Sequence, residues 1–150
     1  MISSYFNQLK FACQDSKRIE RKISLNSGQI NYLISTIYEL GFSEIFKPRS
    51  ITSFYFDDSI MSTARDNIDG VQRRLKFRMR YYDGHYMSNS REIKIKDGFI
   101  GYKLTNKSSS ENSLEDCLKY SGIYFNQYSD SYLKPSAKVK YSRKYFTHPS

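Results

Sequence analysis

Between Arg74 and Tyr82 the chain alternates between charge and grease at every step. Arg74, Lys76, Arg78 and Arg80 take one set of positions, and Leu75, Phe77, Met79 and Tyr81 take the other. Successive side chains of a strand leave on opposite faces, so this spacing predicts a strand with a cationic face and an apolar face. The pattern returns after Asp83-Gly84, a turn signal, with Glu92, Lys94 and Lys96 set against Ile93 and Ile95. Val71 to Tyr82 and Arg91 to Lys96 are therefore predicted as hairpin partners. Arg18, Glu20 and Lys22 against Ile19 and Ile23 predict a third such strand within Ser16 to Leu25. Ile51 to Asp57, Phe99 to Leu104 behind the Asp97-Gly98 turn, and Ala137 to Phe146 complete the predicted strands.

Helical spacing occurs elsewhere. Ile30, Leu33, Ile34, Ile37 and Leu40 form one stripe, with Asn26 or Ser27 as N-cap and Gly41 as a stop. Ile2, Tyr5, Phe6, Leu9 and Ala12 predict a short opening helix. Ser59 to Asn67 reads as a helical connection ending near Gly70, and Leu114, Cys117 and Leu118 as a short helix ending near Gly122. The expected class is α+β, one domain over residues 1–150, without internal repeats; the run Ser108 to Ser110 is too short for a linker.

Four cations in a row at period two are not an ordinary wet face, which mixes signs and carries Ser, Thr and Gln. Like charges on one face repel, and an anion lodged among them removes the repulsion. If the sheet curls so that its charged faces meet, a basic channel results, with the helix at Ser27 to Leu40 as cover for the apolar side. Arginine suits such a channel because its planar fork pairs two phosphate oxygens at once.

Composition agrees. Lys and Arg number 24 against 15 Asp and Glu, a net charge of +9, which predicts an anionic partner. There are 14 Tyr and 10 Phe, residues that favour strands. Cys13 and Cys117 make neither a disulfide framework nor a zinc set, and both are expected reduced and structural. No leader-like segment opens the chain and no run spans a membrane, so a soluble, cytoplasmic protein is expected. The two histidines, His85 and His148, fall at a loop tip and in the tail. No glycine-rich phosphate loop and no serine elbow is present. Asp57-Asp58 reads as the end of a strand capping the next helix, with a metal pair as the alternative. Glu20 and Glu92 lie among the cations, either to neutralise them or to hold a divalent metal.

These residues resemble a known family, the VTC domain, the polyphosphate polymerase module of the triphosphate tunnel (CYTH-like) metalloenzymes. The resemblance rests on Arg18-Ile19-Glu20-Arg21-Lys22, on Ser53 to Asp57, and on Gly70 followed by Arg74-x-Lys76-x-Arg78-x-Arg80-x-Tyr82. Glu92-x-Lys94-x-Lys96, Pro135 and Val139-x-Tyr141-x-Arg143 with Tyr145 follow in order. It implies an antiparallel sheet curled into a tunnel, here partial, with a basic interior and helices outside. It implies a phosphotransferase that moves the terminal phosphoryl group of ATP onto polyphosphate with Mn²⁺ or Mg²⁺. The implied phosphate-binding residues are Arg18, Lys22, Arg74, Lys76, Arg78, Arg80, Lys94, Lys96, Lys103 and Arg143. Arg78, Arg80 and Lys94 are the implied catalytic residues, and Glu20 and Glu92 the metal ligands. The family's later strands are expected to be missing after Ser150, which puts activity in question. The partners implied are ATP and polyphosphate, with no specific nucleic acid; recruitment to a membrane through a partner and oligomer formation stay open. Two other functions compete: a non-catalytic module for polyphosphate, nucleotide or inositol phosphates, and single-stranded nucleic-acid binding through Lys138 to Lys144.

Overall fold

The computed structural model describes residues 5–13 and 21–149. Its elements, in chain order, are α1 (Phe6–Phe11), α2 (Ser27–Glu39), β1 (Ser43–Asp57), α3 (Ser62–Ile68), β2 (Arg73–Tyr82), β3 (Asn89–Asp97), β4 (Ile100–Ser108), α4 (Leu114–Asn126) and β5 (Lys134–Thr147). The strands form one sheet in the order β4-β3-β2-β1-β5, antiparallel at every step. Its two edges, β4 and β5, do not pair with each other, so the sheet is open. The expected α+β class and antiparallel sheet are both present.

Alternation decides which face of the sheet is buried. Leu75, Phe77 and Met79 of β2 and Ile93 and Ile95 of β3 face one side and are buried there. Phe6 and Leu9 of α1, with Cys117 and Phe125 of α4, join them in one core cluster. Phe125 is its centre: its ring lies 4.9 Å from that of Phe56 and 5.7 Å from that of Phe77. Both cysteines are buried thiols. Gly122 does not stop α4, as the sequence suggested. It lies where a Cβ would reach the Phe56 ring at 3.8 Å, so the smallest residue lets helix and sheet approach. The helix ends instead at Asn126, whose side chain accepts from the Leu133 amide at 2.7 Å and donates to its carbonyl at 3.2 Å.

The helix expected to cover the apolar face does not do so. The Asn26 N-cap forms as predicted, with a reciprocal bond to Gln29 at 2.9 Å in each direction. Yet α2 has no buried residue, and Ile30 and Leu33 are each 43% exposed. The reason is the length of β1. It starts at Ser43, whereas its pairing with β2 starts at Ile51. Over the earlier stretch β1 pairs with β5 alone, and this ribbon carries α2 away from the core. There Tyr38 meets Phe146 edge-on at 5.6 Å. α1 and α4 cover the sheet instead.

Two turns tie the strands down. Asp83 and Gly84 both adopt left-handed backbone, φ 52 and 81. The Asp83 amide donates to the Ser50 carbonyl, and its carboxylate accepts from the Ser50 amide, both at 2.8 Å. At the other end Asp57 and Asp58 cap α3, as expected of a strand-closing doublet. Asp57 accepts from the amides of Thr63 at 3.0 Å and Ala64 at 2.9 Å, and Asp58 from that of Ser62 at 2.9 Å. The strand expected over Ser16 to Leu25 lies partly outside the described residues, and residues 21–26 have no regular structure. Among the described residues no helix is long and apolar enough to cross a membrane.

Phe125→Ala opens the core where three rings meet. It is expected to cost about 3–5 kcal/mol, read as a lowered urea midpoint at unchanged slope.

Candidate functional site

The face opposite the core carries a hollow of about 460 Å³. Four strands, α3 through Asn67, and one loop build it. β2 contributes Arg74, Lys76 and Arg78, β3 Lys94 and Lys96, β4 Lys103, β1 Tyr55, and the segment before α2 Lys22. The register makes this convergence inevitable. Lys76 pairs with Lys94, and Lys94 with Lys103, so three ammonium groups lie side by side across three strands. Arg74 pairs with Lys96 in the same way. No carboxylate is among the lining residues described.

The cations are held differently. Arg78, 7% exposed, pairs with Glu92, 4% exposed, through an Nε–Oε2 bond of 2.6 Å. Burial alone would push the Glu92 carboxyl up, but the Arg78 guanidinium, helped by Arg80 and Lys103, holds it below the usual carboxylate range. Lys103 Nζ lies 3.9 Å from the other Glu92 oxygen. Arg74 donates to Asn67 Oδ1 at 3.0 Å and to the Val71 carbonyl at 2.5 Å. Lys96 donates to the Phe99 carbonyl at 2.8 Å. Among the described residues Lys76 has no ion-pair partner. Burial lowers its pKa most; Tyr55 pulls the other way, and Lys22, Arg74 and Arg78 each lower it further.

Arg80 and Arg143 sit outside this hollow, in a second group nearer β5. Arg80, 6% exposed, donates to Ser53 Oγ at 3.1 Å and to Tyr141 Oη at 3.0 Å. Arg143 donates to the same hydroxyl at 3.1 Å, and its guanidinium lies over the rings of Tyr141 and Tyr145 at 5.2 and 5.8 Å. The predicted phosphate residues thus divide into two clusters on one face. Arg18 and Glu20 lie outside the described residues. The reading of the cations passed over Ser53, Tyr55, Asn67 and Tyr141 as site residues. Strand parity was the signal for three of them: Ser53 and Tyr55 alternate with Phe54 and Phe56, and Tyr141 stands two before Arg143.

The implied divalent metal is a harder fit. Among the described residues no three His, Cys, Asp or Glu side chains lie together. Glu92 is already committed to Arg78 and surrounded by cations. Asp57 and Asp58 spend their oxygens on α3. The described side chains therefore do not form a cation site by themselves, and a metal here would need phosphate oxygens for most of its shell.

What the arrangement can do is gather a chain of phosphates, each oxygen finding a donor on a neighbouring strand. A family model of the VTC domain matches residues 17–150. The chain belongs to the VTC domain family. A search of curated proteins returns no match. In this VTC domain the motif residues Tyr55, Arg78, Lys94 and Lys96 fall together in one cavity, as strand parity and register together require.

Lys76 gives the site a pH signature. Its folded pKa is below the ordinary 10.5, so over the window between the two the free fold holds fewer protons than the unfolded chain. Free-protein stability therefore rises with pH there, while affinity for an anion falls as the ammonium is lost. Titration calorimetry with tripolyphosphate as the pH is raised towards 10.5 should show this loss, and Lys76→Arg should delay it to higher pH.

Proposed function

We propose that this VTC domain holds the triphosphate of ATP and the end of a polyphosphate chain in the cationic hollow, as the substrate-binding part of a polyphosphate polymerase. The observation that carries the reading is the convergence of seven Lys and Arg side chains on one cavity with no carboxylate in its described lining. Such a group repels itself and is relieved by a polyanion. The reaction needs no protein nucleophile, since a terminal phosphate oxygen of the chain attacks the γ-phosphorus and ADP leaves. The protein's part is to align the two and to neutralise charge as it develops.

Arg78, with its fork fixed by Glu92, is placed for the transferred group, with Lys94 beside Lys76 on the next strand. Arg80 and Arg143 extend the cationic track towards β5. Mn²⁺ or Mg²⁺ carried on the phosphates themselves would supply further charge neutralisation. The cytoplasm, where ATP is abundant, suits this role.

A binding module without turnover is the second reading. It is favoured by the commitment of Glu92 to Arg78, which leaves the hollow strong in cations and weak in metal ligands. Single-stranded nucleic acid is a poorer match. Tyr141, the aromatic residue within Lys138 to Lys144, has its hydroxyl taken by Arg80 and Arg143, and Lys138 lies over the Phe54 ring at 5.6 Å. Base stacking wants exposed rings beside the cations.

Tripolyphosphate should bind tightly and salt-sensitively. Lys76→Gln with Lys94→Gln should weaken it about a hundredfold or more, since each charged hydrogen bond contributes about 1.5–3 kcal/mol. Unchanged affinity would sink the site assignment. Polyphosphate formed from ATP with Mn²⁺ supports the polymerase, whereas tight binding without product supports the binding module. Glu92→Gln should tighten metal-free tripolyphosphate severalfold, by freeing Arg78.

A further inference from the structure

A second cavity, of about 290 Å³, adjoins the cation hollow. Its character is different. Met61, Ala64, Ile68 and Ala137 supply its open apolar side chains, and it reaches down to the strand positions of the buried Phe56 and Phe77. Tyr55, Asn67 and Lys76 line both cavities, so the two share a boundary.

That boundary is built firmly. Asn67 accepts from Arg74 Nε at 3.0 Å and donates to the Thr63 carbonyl at 2.6 Å, which fixes both ends of its amide. α3, one side of the apolar cavity, is clamped to the end of β1 by the Asp57 and Asp58 carboxylates. Asp57 also belongs to the cavity wall, but its oxygens are already taken by the Thr63 and Ala64 amides. β5 closes the other side through Ser136 and Ala137, and Ser136 Oγ donates to the Tyr55 carbonyl at 3.2 Å.

A polyphosphate chain has no apolar part and would leave this cavity unused. A ligand that fills both cavities has a polyanionic end and a flat, weakly polar body. We propose that the apolar cavity takes the base of a nucleoside triphosphate whose phosphates lie in the cation hollow, an assignment that rests on the phosphate reading above. Tyr55 offers its ring at the junction, and Lys76 stands where the phosphates would meet the sugar. The domain therefore distinguishes a nucleotide donor from a bare phosphate chain by a contact separate from the cations.

Charge alone ranks tripolyphosphate above a nucleoside triphosphate, because it carries more negative charge. The base subsite makes the opposite contribution, and titration calorimetry separates the two. On the unaltered protein ATP should bind about tenfold tighter than ribose 5-triphosphate, within the range that base stacking contributes. Ala64→Leu with Ala137→Leu fills the cavity without touching a cation. It should weaken ATP about tenfold and leave tripolyphosphate within about twofold, which also reports that the variant is folded. Equal affinities for ATP and ribose 5-triphosphate, with tripolyphosphate still bound, would overturn the base subsite alone. Failure of tripolyphosphate to bind the unaltered protein would overturn the phosphate reading and the subsite together.

Discussion

The cations of β2 are positioned by the hydrophobic residues that separate them. Leu75, Phe77 and Met79 are locked in the core, so Arg74, Lys76, Arg78 and Arg80 must project from the other face. A slip of one residue would drive guanidinium and ammonium groups into the apolar interior and expose the core set, which the desolvation of charge forbids. The hollow is thus a by-product of burial on the far side of the sheet. Its geometry is as stiff as the packing of Phe77 against Phe125.

That stiffness carries an electrostatic cost. Lys76, Lys94 and Lys103 lie abreast on neighbouring strands, where opposed like charges destabilise a sheet. Glu92 offsets the cost at one point by taking Arg78, and a buried pair of this kind mainly fixes geometry. Elsewhere the repulsion stands, and the pKa of Lys76, lowered chiefly by burial, is lowered further by Lys22, Arg74 and Arg78. An environment already arranged for negative charge need not reorganise when that charge arrives, which is how fixed polar groups act on phosphoryl transfer.

The strands that shape the hollow were legible because a period of two is hard to mistake when its two halves are Arg or Lys and Leu, Ile or Phe. The same period put Arg78 and Lys94 on the charged faces of their strands, and the structure brings them into one cavity. Less could be read where a residue's role depends on what lies across from it. Asn67 holds Arg74 from a short helix, and nothing local marks it. Tyr141 sits between two arginines from different strands. The stripe on α2 was clear, but a stripe says only that a face is apolar, not what meets it. The long start of β1, with Glu44, Lys47 and Arg49 among its residues, has no alternation to announce a strand, and its pairing with β5 is what moves α2 off the core.

The β2–β3 ladder has a further property. A shift of two residues, unlike a shift of one, would leave every cation on its own face and every isoleucine in the core, with Glu92 opposite Lys76 or Arg80 instead of Arg78. Neither charge nor hydrophobicity separates these alignments sharply. What does so is the turn between the two strands, closed by the His85 amide on the Tyr82 carbonyl at 2.9 Å and the Ser88 amide on the His85 carbonyl at 3.1 Å. That turn is the ruler for this ladder, and a hairpin zipped before the turn had closed would have to unzip before it could finish folding.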